Sequence, residues 1–142
     1  MKTANELRIL DASAVLAHLQ GESGWDVVEE AMDEGECYLT TVNACEVLTK
    51  LCEKGMPPAE ARASLDDLKL AVVDFDLELA TLAASLRAKT RPIGASLGDR
   101  ACLALAQRAA TASSDSPPAV SVLTGEQAWA GIKWPFAIVQ IR

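Results

Sequence analysis

Aromatic residues are scarce in this chain, at 4% of 142 positions, although half of it is hydrophobic. The core therefore has to be built from Leu, Val, Ile and Ala. Histidine occurs once, as His18, which removes the paired imidazoles common in zinc centres. The four cysteines, Cys37, Cys45, Cys52 and Cys102, contain no Cys-x-x-Cys pair and no zinc-ligand spacing. They read as small apolar residues in a reducing compartment, with Cys45 and Cys52 on one buried helical face. No apolar run approaches the roughly 18 residues of a membrane span, and no leader pattern opens the chain. The expected setting is cytoplasmic, with no membrane partner. Positive charge is also short: 13 Lys and Arg against 20 Asp and Glu leave a net charge of −7. This excludes a protein that tracks phosphates by broad electrostatics. It leaves room for a nuclease, because clustered catalytic acids make a chain acidic and a bound metal restores local positive charge. A Gly-x-Gly-x-x-Gly turn and a phosphate-binding loop are both missing, which removes the common nucleotide-binding signatures. Ser13 stands two residues after Asp11, so the Asp-x-Asp of an aspartyl phosphatase is missing as well.

What is present is an alternation of short apolar runs with helical periodicity. Residues 7–10 read as a strand and 12–20 as a short helix, followed by a turn over 21–24 and a helix over 25–34 bearing Trp25, Val28 and Met32 at helical spacing. A strand at 37–40 leads into a helix beginning near Val42, with Cys45, Leu48, Leu51 and Cys52 in one stripe. Pro57-Pro58 starts the next helix. A brief strand at 71–73 precedes a helix bearing Leu79, Leu82, Ala83 and Leu86, which Asp74 or Asp76 can cap. Ser96 opens a largely buried helix, 113–118 is a polar loop, and 119–123 is a strand. A short helix is expected from Thr124 to Trp129, and a last strand from Phe136 to Ile141. Strands alternating with helices at this spacing predict one α/β domain over residues 1–142, a parallel sheet with helices on both faces.

Four acids fall where helices start. Asp11 ends the first strand, Glu46 lies in the first turn after the second, Asp99 opens the helix after Ser96, and Glu126 follows the strand 119–123. Helices that follow parallel strands begin at the carboxyl edge of the sheet, where such folds bind ligands. Each acid also has a structural reading. Asp11 can be a helix N-cap, Asn43-x-x-Glu46 and Ser96-x-x-Asp99 resemble capping boxes, Glu46 can pair with Lys50, and Glu126 suits a helix start. Crowded carboxylates repel, and burial raises their pKa values; a divalent cation removes that conflict. Oxygen-only ligands suit Mg²⁺ or Mn²⁺, and such a site points to phosphoryl chemistry.

The blocks Leu10-Asp11-Ala-Ser13-Ala, Asn43-x-x-Glu46-Val, Ser96-Leu-Gly-Asp99-Arg100 and Val122-Leu-Thr124-Gly-Glu126-x-Ala-Trp129 resemble PIN-domain motifs. More narrowly they resemble the VapC-type toxins of bacterial toxin–antitoxin pairs, in order and over essentially the whole chain. The resemblance implies a homodimeric endoribonuclease that uses Mg²⁺ or Mn²⁺ and is inhibited by a small cognate antitoxin covering the site. By position, Asp11, Glu46 and Asp99 match the three core acids, and Thr124 matches a hydroxyl often found beside them. The fourth acid of the family is usually Asp in a Thr-Ala-Asp setting; here it is Glu126 after Gly125. Glutamate reaches about 1.5 Å further, one C–C bond, which leaves a one-metal site or a weaker second metal open. The alternative function is a PIN-like module that acts by binding RNA or protein, with Glu126 marking weakened catalysis.

Ser13 is a secondary candidate beside Asp11. Arg91 and Arg100 are candidate substrate contacts, and with Arg87 and Lys89 they form the one basic concentration near a candidate acid. The first three of these cations, in chain order, can equally complement a helix C-terminus. His18 reads as a partly exposed structural residue.

Overall fold

Alternation within each strand divides this fold into two cores. In a computed structural model describing residues 6–112 and 115–142, the first strand, β1 (Glu6–Leu10), turns Ile9 to one face and Leu10 to the other. The chain then forms α1 (Ala12–Gln20), α2 (Trp25–Glu34), β2 (Cys37–Thr40), α3 (Thr41–Glu53), α4 (Pro58–Asp66) and β3 (Ala71–Val73). It continues through α5 (Leu77–Ser85), α6 (Arg87–Thr90), a 3-10 turn at Arg91–Ile93, α7 (Leu97–Ala110), β4 (Ala119–Thr124), a 3-10 turn at Ala128–Gly131 and β5 (Ala137–Gln140). Part of the polar loop expected at 113–118 lies outside the described residues.

The five strands are all parallel, in the order β3-β2-β1-β4-β5. On one face Leu10, Leu39 and Leu123 pack under α1 to α4. On the other, Ile9, Val120 and Val122 pack under α5 and α7 together with Trp129. Helix α7 is apolar nearly all round, with Ala101 to Ala106 buried, as its sequence implies. The chain leaves β1 towards β2 and β3 and later returns to β4 and β5 on the other side. That reversal puts the topological switch point between β1 and β4, where open α/β sheets hold ligands beyond the strands' carboxyl ends. Among the described residues no helix is long and apolar enough to cross a membrane.

Four local expectations need correction. The helix expected at 124–129 is not α-helical: β4 runs on through Thr124, and only Ala128–Gly131 makes a 3-10 turn, so Glu126 lies in the intervening turn. Helix α3 starts at Thr41 with Thr40 as its cap, so Asn43 is inside the helix and is not the cap. Cys45 is exposed and Cys52 half-buried, whereas Cys37 and Cys102 are buried. The face of α3 that meets the core is instead Asn43, Ala44, Val47 and Leu51. Trp25, at the head of α2, is exposed too, and Val28 and Ala31 carry that helix's burial.

Candidate active site

Asp11 is the most constrained of the four acids. It is only 3% exposed and caps α1, accepting from the Ala14 N–H at 2.8 Å. Ser13 Oγ donates to the same oxygen, Oδ1, at 2.6 Å, and Thr124 Oγ1 donates to Oδ2 at 2.5 Å. The cap reading of Asp11 is realised. Ser13 in turn accepts from the Gly125 N–H at 2.8 Å, and Thr124 from the Glu126 N–H at 2.9 Å. These bonds tie the ends of β1 and β4 together at the switch point. Burial raises the Asp11 carboxyl from 3.8 to about 6; the Ser13, Thr124 and Ala14 donors pull it down, and the charge of Asp99 pushes it up.

Glu46 arrives from α3. The buried Asn43 amide donates to Glu46 Oε1 at 2.9 Å and to the Gly98 carbonyl at 3.0 Å, while its own Oδ1 accepts from Thr40 Oγ1 at 2.7 Å. Asn43 thus links the cap of α3, the acid on α3 and the first turn of α7. Glu46 packs so closely on Gly98 that a Cβ there would overlap both carboxylate oxygens. Lys50 reaches Glu53, at 3.9 Å, so Glu46 is not the partner of that ammonium. Asp99 completes a true capping box: the Ser96 N–H donates to Asp99 Oδ2 at 2.9 Å, and the Asp99 N–H donates to Ser96 Oγ at 3.1 Å. Glu126 is exposed in the turn after β4.

Asp11, Glu46, Asp99 and Glu126 all line one cavity of about 340 Å³, together with Ala12, Ser13, Asn43 and Ser96. Four segments distant in sequence thus deliver acids to one place. Thr124 stands behind Asp11, outside the lining. Arg100 does not line the cavity; it donates to the Ala83 carbonyl at 3.1 Å. Arg91 is exposed, five residues ahead of Ser96. His18 is elsewhere, in a separate cavity of about 500 Å³ with Glu29, Asp33 and Lys69. The buried Cys102 thiol is pushed well up, by burial first and then by the negative charges of Asp11, Asp99 and Glu46.

Sequence reasoning missed two participants. One is Asn43 as a bridge; a Thr at the strand end three residues before Asn43 was the available signal. The other is Arg142, whose guanidinium lies on Gly125, where a Cβ would stand 2.7 Å from Nη2. Glycine at 125 is what admits that guanidinium, which lies outside the cavity lining and donates to the Ser23 carbonyl at 3.3 Å.

The donor set can be judged against a divalent ion. Among the described residues none of the four acids is in an ion pair. Asp11 Oδ1 has both acceptor directions filled, but Oδ2 keeps one. Glu46 Oε2 and Asp99 Oδ1 accept no hydrogen bond among the described residues. No three acids among the described residues stand close enough to cage an ion by themselves. The arrangement fits a hydrated ion that keeps several waters and takes one or two carboxylates, as Mg²⁺ does.

The family model for the PIN domain matches residues 8–116. The chain belongs to the PIN domain family. The structural comparisons agree with this PIN fold. A chain of the DNA-bound VapBC from Salmonella typhimurium superposes with a TM-score of 0.66 at 15% identity, covering 95% of this chain and 98% of that one. For VapBC2 from Rickettsia felis, bound to a promoter DNA fragment, the TM-score is 0.65 at 13% identity, with 93% and 96% covered. VapBC-5 from Mycobacterium tuberculosis gives 0.60 at 20% identity, with 94% and 98% covered. No curated protein matches the sequence.

Proposed function

We propose that this PIN domain is a metal-dependent endoribonuclease and the toxin of a toxin–antitoxin pair. The observation that carries the reading is the convergence of Asp11, Glu46, Asp99 and Glu126 on one cavity, with none of them in an ion pair among the described residues. Mg²⁺ or Mn²⁺, when bound, supplies Lewis acidity towards a phosphodiester and lowers the pKa of a coordinated water. Asp11, Glu46 and Asp99 would hold that ion, one or two of them directly and the rest through its waters, using the oxygens that keep a free acceptor direction. Ser13 and Thr124 fix the Asp11 carboxylate, and Asn43 fixes that of Glu46. Glu126, exposed at the rim, orients the attacking water towards the phosphorus. RNA is the substrate, Arg91 and Arg100 are its nearest candidate contacts from the sequence, and the compartment is the cytoplasm.

The fold shared with chains of VapBC complexes supports a cognate antitoxin as partner; a homodimer, the commonest closed assembly, is the proposed working form. An apolar groove of about 790 Å³ between α3 and α4, lined by Cys45, Leu48, Cys52, Leu65 and Val72, supplies area for such a partner to bury.

The test exposes total cellular RNA to purified, antitoxin-free protein with Mn²⁺, beside an EDTA lane and an Asp99→Asn lane. Discrete fragments that vanish in both control lanes are expected. Cleavage that survives Asp99→Asn in a repurified sample contradicts the assignment. No cleavage by the folded wild type favours the alternative, a PIN module acting by binding.

A further inference from the structure

The basic residues before Ser96 have a structural partner that the site description leaves unused. Trp134 is half-buried, and its ring stacks on Phe136 with centroids 5.2 Å apart and planes 23° from parallel. Its indole N–H donates to the Trp129 carbonyl at 2.9 Å, which fixes the ring's direction. The Lys89 ammonium stands 4.2 Å from the ring centroid. Arg87, Lys89, Arg91 and Lys133 are all exposed, and none is in an ion pair among the described residues. In a chain of net charge −7, an ammonium on an aromatic ring, with three further exposed cations within two residues of it or of the ring in sequence, is a local excess of positive charge.

The position of this patch matters as much as its charge. Lys89 and Arg91 belong to the segment that leads through a 3-10 turn into Ser96 and Asp99. Trp134 is bonded to the 3-10 turn that follows Glu126. The Lys89–Trp134 contact therefore joins the two segments that deliver two of the four site acids.

We propose that Trp134, with Lys89, Arg91 and Lys133, is a binding platform for single-stranded RNA on the surface where the segment leading to Asp99 meets the segment that follows Glu126. One unpaired base stacks on the Trp134 ring, displacing the Lys89 ammonium, and the freed ammonium and its neighbours take the flanking phosphates. Aromatic rings accept every base, because each has a π face, and cations beside them hold the backbone. Duplex RNA is excluded, because its bases are already stacked. The platform reconciles an acidic protein with a polyanionic substrate, since attraction is confined to one patch. This inference rests on the nuclease reading, with RNA as the ligand of the same site.

The experiment measures binding of a mixed-sequence single-stranded RNA, and of its duplex, by fluorescence anisotropy in EDTA, where cleavage is suppressed. Trp134→Ala is expected to weaken single-strand binding about tenfold or more, and Trp134→Phe to keep it within about threefold. Lys89→Gln and Arg91→Gln each lower the slope of log K against log salt by about 0.7. Circular dichroism checks the fold of each variant, and Phe at 134 separates stacking from packing. Equal binding of the duplex, unchanged affinity in folded Trp134→Ala, or unchanged salt slopes overturns the platform, as does no RNA binding at 50 mM salt. Cleavage with Mn²⁺ is scored separately. A wild type that binds through Trp134 but does not cut sinks the nuclease reading and leaves the platform standing. One that cuts with an unchanged KM in folded Trp134→Ala does the reverse.

Discussion

Asp11 is a buried carboxylate whose usefulness to an ion is a cost to the metal-free fold. Its carboxyl is raised from 3.8 to about 6, so the folded chain binds this proton more tightly than the unfolded chain. The stability contributed by the protonated form is complete below about pH 4 and is lost as pH rises through about 6. One pKa unit corresponds to 1.36 kcal/mol, so the loss is about 3 kcal/mol at neutral pH. Asp11→Asn, which keeps a capping side chain, should raise the melting temperature of metal-free protein at pH 7.5 and leave it nearly unchanged at pH 4. A lower melting temperature at pH 7.5 would show that the hydrogen bonds from Ser13 and Thr124 outweigh the buried charge. At this scale Asp11 and Asp99 were legible as acids at helix starts, whereas Glu46 lies a turn inside α3 and Glu126 in a turn ahead of a 3-10 turn. Asn43 was not legible, because Asn-x-x-Glu imitates a capping box and hides a Thr40 cap three residues earlier. Asn43→Ala removes two donors from buried acceptors and should cost about 1–3 kcal/mol of stability along with most cleavage; calorimetric melting and the RNA assay check both.

Among the elements, α7 meets α3 closely enough that backbone, not side chain, forms one wall beside Glu46. Gly98→Ala places a methyl in the Glu46 carboxylate, so Glu46 must swing aside. Alanine is otherwise the better helix former, by about 1 kcal/mol. The expected outcome is therefore a folded protein of nearly unchanged melting temperature whose cleavage falls at least tenfold. Full activity would mean that the position of Glu46 is not critical. The helices α1, α2 and α5 were readable because each turns an apolar stripe to the core, and α7 because it is apolar nearly all round; on α3 the helix was legible but the stripe read there is not its core face. The 124–129 stretch was misread because six residues cannot distinguish a helix from a turn leading into a 3-10 turn. Cys45 and Cys52 were read as buried because hydrophobic spacing reports an apolar face, not whether the same chain covers it. That face opens on the α3–α4 groove.

For the whole molecule, the order β3-β2-β1-β4-β5 decides where chemistry is possible. It puts the ends of β1 and β4 side by side and brings α3 and α7 in with one acid each. The parallel α/β class followed from alternation of strand and helix, and the site's edge from the strands' carboxyl ends. The Trp134–Lys89 contact and Arg142 on Gly125 were beyond reach, since residues 45 and 17 positions apart meet only through tertiary packing. The central claim is that these acids form one site for a divalent ion. Titration calorimetry of EDTA-stripped protein with Mn²⁺ at pH 6 tests it most directly, because Asp11 is then about half protonated. The account predicts binding of one ion per chain with release of about half a proton, lost in Asp11→Asn and in Asp99→Asn. Undiminished Mn²⁺ binding in both variants would contradict it.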